Sequence, residues 1–521
     1  MNAPDTDRGT SGSTGSNPFG RALFNKPSAR ALRRVGVVDV GSNSVRLVVF
    51  DGAARSPAYF FNEKIMCGLG AGMLETGRLN PEGRARALNA LHRFAHLARA
   101  MDTGPLTCVA TAAVRDAADG ADFQAEVKAL TGLDLWVIDG REEARLSAQG
   151  VLLGWPGAYG LVCDIGGSSM ELAEINGGTV GRRVTSQLGP LKLRDLKGGS
   201  KARRTYIRNT IESMTTELGE QKNRLFLVGG SWRAIARIDM ERRGYPLNVL
   251  HEYRMRASSV RDTLRYIHEA PDLTALRQRA GVSSARMALV PQAAEVLREL
   301  VRTFKPHDIA ISSYGIREGM LYEQMPQQLR DRDPLIEACR FTEAKDARVP
   351  GFGKMLYHFI MPLFKRARPE RVRLIKAACL LHDVNWRAHP DYRADICFDT
   401  ATRANLGGLK HSERVFLGLA LLHRYSNSRS VTRIEKVSQM IDAPMRRDAE
   451  ILGRAMRFGA MLWPQRDADP GKLHFYPKKR ILEFNLAPEA AAMFGEVAQA
   501  RFTSLAASLD SQPVVKGAIA P

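Results

Sequence analysis

Residues 35–50 carry a pattern that the chain repeats once. The apolar run Val35-Gly36-Val37-Val38 stops at Asp39-Val40-Gly41-Ser42-Asn43-Ser44 and resumes as Val45-Arg46-Leu47-Val48-Val49-Phe50. Later, Tyr159-Gly160-Leu161-Val162-Cys163 stops at Asp164-Ile165-Gly166-Gly167-Ser168-Ser169 and resumes as Met170-Glu171-Leu172-Ala173-Glu174-Ile175. Two apolar runs split by a glycine turn read as strand, tight turn, strand. Superposed, Asp39 falls on Asp164, Gly41 on Gly166, Ser44 on Ser169 and Leu47 on Leu172. The separation is too long for a solenoid, whose periods are roughly 20–50 residues. A whole duplicated module implies two homologous α/β lobes that face each other.

At roughly 150 residues per domain, 521 residues imply about three domains. The expected organisation is a disordered tail (1–34), lobe I (35–158), lobe II (159–330), a helical domain (331–510) and a frayed end (511–521). Within the lobes, helices are expected over 81–101 and 141–153, and short strands over 106–110, 135–138, 225–228 and 309–311. A helix over 284–304 is interrupted early by Pro291. Strand signals largely vanish after about residue 330.

The chain holds 76 Lys and Arg against 55 Asp and Glu, a formal net charge of +21. The excess is spread over both halves, so it is not a basic tail. It favours polyanions as partners without choosing among them. The six cysteines show no CxxC spacing and several sit in apolar runs, which indicates reduced, buried thiols. No window is apolar enough to span a bilayer, and the polar N-terminus lacks a secretory apolar stretch. A cytoplasmic protein without membrane contact is expected. Aromatics are 7% and interleave with no basic motif, which argues against specific nucleic-acid binding.

The two turns are suited to phosphate. Glycines let backbone N–H groups approach an anion, and Ser and Asn side chains add donors. An Asp at the strand end can hold a divalent cation that bridges phosphate oxygens. A single glycine-rich hairpin is usually only a hairpin; two at matched positions in two lobes are not.

These residues resemble the sugar kinase/actin/Hsp70 fold, and more narrowly the exopolyphosphatase and guanosine pentaphosphate phosphohydrolase family. The resemblance rests on Asp39 to Leu47, Ala110 to Ala117, Gly140 to Leu146, Asp164 to Leu172 and Ser312 to Leu321, in that order. It implies an α/β protein of two actin-like lobes followed by an all-α HD-like domain. It implies that Glu143, rather than Glu142, orients and deprotonates the attacking water, and that Arg115 clamps a phosphate. Asp164 and Glu171 would hold Mg²⁺ (or Mn²⁺), with Asp39 close to the same ion. Gly41, Ser42, Asn43, Ser44, Gly166, Gly167, Ser168 and Ser169 would cradle the terminal phosphates, with Gly229-Gly230-Ser231 as a third loop. The sequence departs from the family at Ser168, where a third glycine is usual, and at Met170. Without the resemblance, Glu142 and Glu143 read as acids complementing a helix dipole, Arg115 as a surface arginine and Glu171 as an exposed strand residue.

In the last domain, Cys379-Leu380-Leu381-His382-Asp383 resembles the metal-binding pair of HD-type phosphohydrolases, with His411 and His423 further on. No first metal histidine stands where it is expected, around Gly351 to Lys354, and His358 lies only nearby. The domain is therefore expected to be degenerate. Its basic stretches, Lys365 to Lys376 and Lys478-Lys479-Arg480, read either as solvated faces or as guides for a long anion. The expected activity is Mg²⁺-dependent release of terminal orthophosphate from inorganic polyphosphate. The alternatives are a guanosine pentaphosphate (pppGpp) 5′-phosphohydrolase, a non-catalytic polyphosphate or nucleotide sensor, and a kinase-like ATPase. A homodimer is compatible with all of them.

Overall fold

The structure is a computed structural model that describes residues 34–51, 55–221, 223–426, 432–463 and 469–517. The expected tail over 1–34 falls almost wholly outside these residues.

The first sheet has the order β3-β2-β1-β4-β5. Its strands are β1 (Val35–Val40), β2 (Ser44–Phe50), β3 (Tyr59–Met66), β4 (Thr107–Ala110) and β5 (Leu135–Val137). The second sheet repeats this plan with one added edge strand, in the order β10-β11-β9-β6-β7-β8. Its strands are β6 (Gly160–Ile165), β7 (Met170–Asn176), β8 (Thr179–Ser186), β9 (Arg224–Val228), β10 (Arg254–Met255) and β11 (Asp308–Ile311). In each lobe an antiparallel three-stranded meander continues into parallel strands.

The leading strands β1 and β6 share one burial pattern: every residue is buried except the aspartate at the fifth position. Strands covered on both faces read as continuous apolar runs, which is why these two were legible. The outer strands β3 and β8 were not. Their sequences, YFFNEKIM and TVGRRVTS, mix charge with apolar residues because they lie at sheet edges and bury only one residue between them.

Two helices exchange lobes. The helix Gly140–Gly154 follows β5 of lobe I but packs on β6, β7 and β8. The helix Ile316–Glu323 follows β11 of lobe II but packs on β1 and on the first helix. Where the two helices cross, a Cβ added at Gly150 would stand 2.1 Å from the Gly315 carbonyl oxygen, and one at Gly319 would stand 1.7 Å from that of Leu146. Only glycine permits this approach. One apolar cluster, including Val37, Val151, Val162, Phe226 and Met320, therefore runs through both lobes. The boundary near residue 158 separates the sheets but not the layers.

The third domain has its own core, from Leu335 to Ala506. It is mostly helical, with one departure from expectation. A three-stranded sheet joins β12 (Gly471–Tyr476), β13 (Ile481–Leu486) and β14 (Gln512–Lys516). Leu473, Leu482, Phe484 and Leu486 bury one side of it in the helical core. Residues 511–521, expected to be frayed, thus contribute a strand that pairs parallel with β13. The cluster Lys478-Lys479-Arg480 is the exposed turn between β12 and β13. The domain docks on lobe II through His411, whose Nε2 lies 3.0 Å from the His251 carbonyl oxygen and whose Nδ1 lies 2.8 Å from Tyr245 Oη.

Candidate active site

The two repeated turns meet across the interlobe cleft, with Ser42 Oγ 3.2 Å from Ser168 Oγ. Each turn closes in the same way: Gly41 N–H donates to Ser44 O (3.1 Å) and Gly166 N–H to Ser169 O (3.0 Å). The remaining carbonyls are drawn away from the cleft. Ser42 O accepts from Gly70 N–H and Asn43 O from Cys67 and Gly68 N–H; Gly167 O accepts from Leu191 N–H and Ser168 O from Gly189 N–H. The N–H groups of Ser42, Asn43, Gly167 and Ser168 have no acceptor among the described residues. Unpaired donors beside engaged carbonyls make an anion cradle. Ser168 is not among the residues with positive φ, so the place of the usual third glycine needs no glycine backbone here. The third turn does. Gly229 has φ of 118°, and a Cβ there would meet Ile165 O at 2.6 Å.

Four carboxylates surround the cradle. Asp39 and Asp164 are the penultimate residues of β1 and β6. The repeat also places Arg46 and Glu171 in equivalent positions, since Asp39 pairs with Arg46 and Asp164 with Glu171. One lobe offers a cation where the other offers an acid. Glu171 is 1% exposed, so it is not the exposed strand residue that local pattern alone implies. Its Oε1 accepts from Thr185 Oγ1 at 3.2 Å, while its Oε2 is buried without a hydrogen bond. Glu143 Oε2 is likewise buried without a hydrogen bond, and its closest cation is Arg115 Nη1 at 3.9 Å. Arg115 also pairs with Asp116 at 2.8 Å and is not exposed as a lone surface arginine. Glu142 is committed to Arg145 at 2.6 Å, and Arg145 continues to Glu323. Asp164 accepts from Ser147 Oγ.

Burial raises all four acids above their ordinary values, and repulsion from neighbouring carboxylates adds to it at Glu143 and Glu171. Burial raises Asp39 and Asp164 above the usual carboxylate range. Burial and then the Asp164 charge push Glu171 up to about 8. Burial, then Glu171, Asp164 and Asp39, carry Glu143 well above its ordinary value. Such a set calls for added positive charge.

Sequence reasoning missed a second group, the cations. Arg317 Nη1 stands 3.2 Å from Asp39 Oδ2. Burial, then Arg317 and Arg286, lower Arg233 to about 10. Burial and neighbouring cations also lower Arg46, Lys64 and Arg286. These side chains crowd one another from β2, β3 and three helices of lobe II. Arg46 and Arg317 lay within the recognised segments. Lys64, Arg233 and Arg286 carried no signal among 76 basic residues.

Among the described residues no three His, Cys, Asp or Glu side chains close on a common metal position. The donors nonetheless suit a hard divalent cation. They are carboxylate oxygens, and two are buried without partners. Mg²⁺ commonly uses one or two protein carboxylates and completes its shell with water and phosphate oxygens.

The HD-like pair is arranged otherwise. Arg348 forks onto Asp383, with Nη2–Oδ1 at 2.6 Å and Nε–Oδ2 at 2.8 Å. His382 is buried with Nδ1 2.8 Å from Cys379 O, and burial and then Arg424 lower it to about 4. His411 is spent at the domain interface, and His358 is exposed.

Comparison with known proteins bears on the lobes and on the third domain separately. The model of the Ppx/GppA phosphatase family matches residues 48–328, and that of the exopolyphosphatase C-terminal domain matches residues 363–512. Exopolyphosphatase 1 of Mycobacterium tuberculosis is 33% identical over 143 residues, covering 27% of this chain and 42% of that protein. Exopolyphosphatase 2 of the same organism is 39% identical over 153 residues, covering 27% and 48%. These matches therefore span less than half of either relative. Retrograde regulation protein 2 of Saccharomyces cerevisiae is 24% identical over 465 residues, covering 80% of this chain and 76% of that protein. Among solved structures, an exopolyphosphatase from Cytophaga hutchinsonii aligns with TM-score 0.51 and 22% identity over 56% of this chain and 98% of that one. The Aquifex aeolicus Ppx/GppA family member aligns with TM-score 0.50 and 21% identity over 58% and 99%. These two show the two-lobed actin-like fold. With its family model spanning most of both lobes, the second turn of the cradle and more than half of the sequence, this chain belongs to the Ppx/GppA phosphatase family.

Proposed function

We propose that the chain is an exopolyphosphatase that hydrolyses the terminal phosphoanhydride of inorganic polyphosphate with a divalent cation, Mg²⁺ or Mn²⁺. The observation that carries this reading is the juxtaposition of an N–H cradle whose donors have no acceptor among the described residues, a buried Glu143 oxygen without a hydrogen bond and a run of mutually repelling cations. A terminal phosphate answers the first, a water the second and the following phosphates of a polyanion the third.

Phosphoryl transfer asks the protein for positioning and charge neutralisation. The N–H groups of Ser42, Asn43, Gly167 and Ser168 bind the terminal phosphate oxygens. Arg317 and Arg46 neutralise their charge. Glu143 Oε2 orients the water in line and takes its proton, and Arg115 holds that carboxylate in place. Asp164 and Glu171, with Asp39 nearby, would hold the cation, which supplies positive charge to the phosphate oxygens. The names of the two mycobacterial relatives support polyphosphate as the substrate. A second reading, a non-catalytic sensor, draws on the regulatory name of the yeast relative that matches most of the chain.

Phosphate release from long-chain polyphosphate and from pppGpp, measured side by side with and without Mg²⁺, separates these readings. Metal-dependent release from polyphosphate is expected. Faster release from pppGpp makes the nucleotide the substrate, and binding without release makes the protein a sensor. Glu143→Gln should keep polyphosphate binding and lose about 10²–10⁴-fold in turnover. Unchanged turnover removes Glu143 from the mechanism.

A further inference from the structure

Glu318 lies in the first turn of the helix Ile316–Glu323 and is 1% exposed, yet both of its carboxylate oxygens are engaged. Oε2 accepts from the backbone N–H of Gly315 at 2.8 Å, which caps the helix. Capping accounts for one oxygen only. Oε1 accepts from Tyr59 Oη at 2.5 Å, a bond that reaches from this helix to the edge strand β3 of lobe I. A glutamine would cap as well, so the cap alone does not call for a buried charge, which is costly unless paired and bonded.

Tyr59 is aimed at this carboxylate by a local irregularity. The β2–β3 register slips between Val49 and Phe50, opposite the start of β3, and Tyr59 leans on the Phe50 ring at 5.6 Å. Bulges of this kind re-aim a side chain. On either side of the bonded carboxylate lie groups of the proposed site. Arg317, the preceding residue, reaches Asp39 at 3.2 Å, and its Nε is buried without a hydrogen bond. Gly315, the bonded donor, runs so close to lobe II that a Cβ there would stand 2.7 Å from Val228 Cγ1 and 3.9 Å from Asp164 Oδ2.

We propose that Tyr59 and Glu318 form a cross-lobe latch that fixes the start of this helix and so positions Arg317 over the terminal phosphate. Both are positioning residues and act only through Arg317. The inference rests on the proposed phosphohydrolase reading, since it needs a phosphate for Arg317 to meet. A misplacement of about 1 Å in such a clamp can cost on the order of 100-fold in rate.

The test uses the full chain with Mg²⁺ and polyphosphate. Tyr59→Phe removes one hydroxyl from a ring that is 38% exposed, so a folded variant is expected. Its kcat should fall about 10- to 100-fold, while KM stays within about threefold. On an Arg317→Ala background the same change should cost nothing further, because residues that act as a unit are not additive. Glu318→Gln is the second variant. It keeps the Gly315 cap, loses the charge-assisted bond to Tyr59, and should show the same loss in kcat and the same silence on Arg317→Ala. Wild-type kcat in folded Tyr59→Phe, a loss confined to KM, or losses that multiply with Arg317→Ala overturn the latch. If Arg317→Ala is fully active while Glu143→Gln is dead, the latch fails and the hydrolase reading stands. If the wild-type chain releases no phosphate at all, the hydrolase reading has failed first.

Discussion

On the proposed mechanism, Glu143 and Glu171 should set the pH behaviour of the site. A base must be ionised, and burial with three neighbouring carboxylates keeps Glu143 protonated above its usual range. Activity should therefore rise with pH, and the acid limb of kcat/KM should lie above that of an ordinary glutamate. A divalent cation offsets the neighbouring charges, so raising Mg²⁺ should move the limb to lower pH. An acid limb indifferent to Mg²⁺ would separate these carboxylates from the metal. The same shifts act on stability. A carboxyl raised in the folded state binds more protons there than in the unfolded chain, so stability falls as pH rises from the ordinary carboxylate range through the raised value. For Glu171 that window ends near 8. The metal-free melting temperature should decline across it, and Glu171→Gln should flatten the decline. Much of the candidate site's composition was legible at the level of residue types: the two aspartates, the turn residues and Glu143 stood in matched or recognised segments. Its electrostatics were not, because Lys64, Arg233 and Arg286 reach the cleft from separate elements and only folding brings them together.

Among elements, legibility followed burial. The strands β1, β6, β9 and β11 lie inside their sheets and read as short apolar runs. The strands β3 and β8 are polar edges, and β10 is only two residues long. The expected break in the helix near Pro291 appears as two helices, Ser284–Met287 and Val290–Phe304, with the proline in the first turn of the second. No periodicity reveals that the helices Gly140–Gly154 and Ile316–Glu323 exchange lobes, because that is a property of three-dimensional packing. Their crossing is nonetheless where one methyl group matters most. A Cβ at Gly319 overlaps the Leu146 carbonyl, and backbone cannot swing aside as a flexible side chain can. Gly319→Ala should cost about 1–3 kcal/mol, the usual range for overpacking. It should also lower turnover, since one helix carries Glu143 and the other Arg317. Val260→Ala, in the core of lobe II, should lower the melting temperature with little change in kcat. Equal kcat in both variants would mean that the crossing does not set the site.

At the scale of the whole molecule, the third domain keeps the form of a metal site without its free ligands. A metal-binding carboxylate must offer an unencumbered oxygen, but both oxygens of Asp383 are taken by the Arg348 fork, and Arg424 adds positive charge beside His382. An arriving divalent cation would have to displace one guanidinium and tolerate another. The basic stretch Lys365 to Lys376 is also partly committed, with Arg373 on Asp333 and Arg371 on Asp448, which leaves Lys365, Arg366 and Arg368 exposed. The His382→Ala/Asp383→Ala double variant should therefore keep polyphosphatase activity and its Mg²⁺ dependence. It should lose some stability, because Arg348 is left without its carboxylate and a buried ring is removed. Stabilisation by added Mg²⁺, read as a shift in melting temperature, should be the same in the double variant and the wild type and should disappear in Glu171→Gln. A folded double variant that no longer releases phosphate, or that alone loses the Mg²⁺ shift, would place the metal chemistry in the third domain rather than between the lobes.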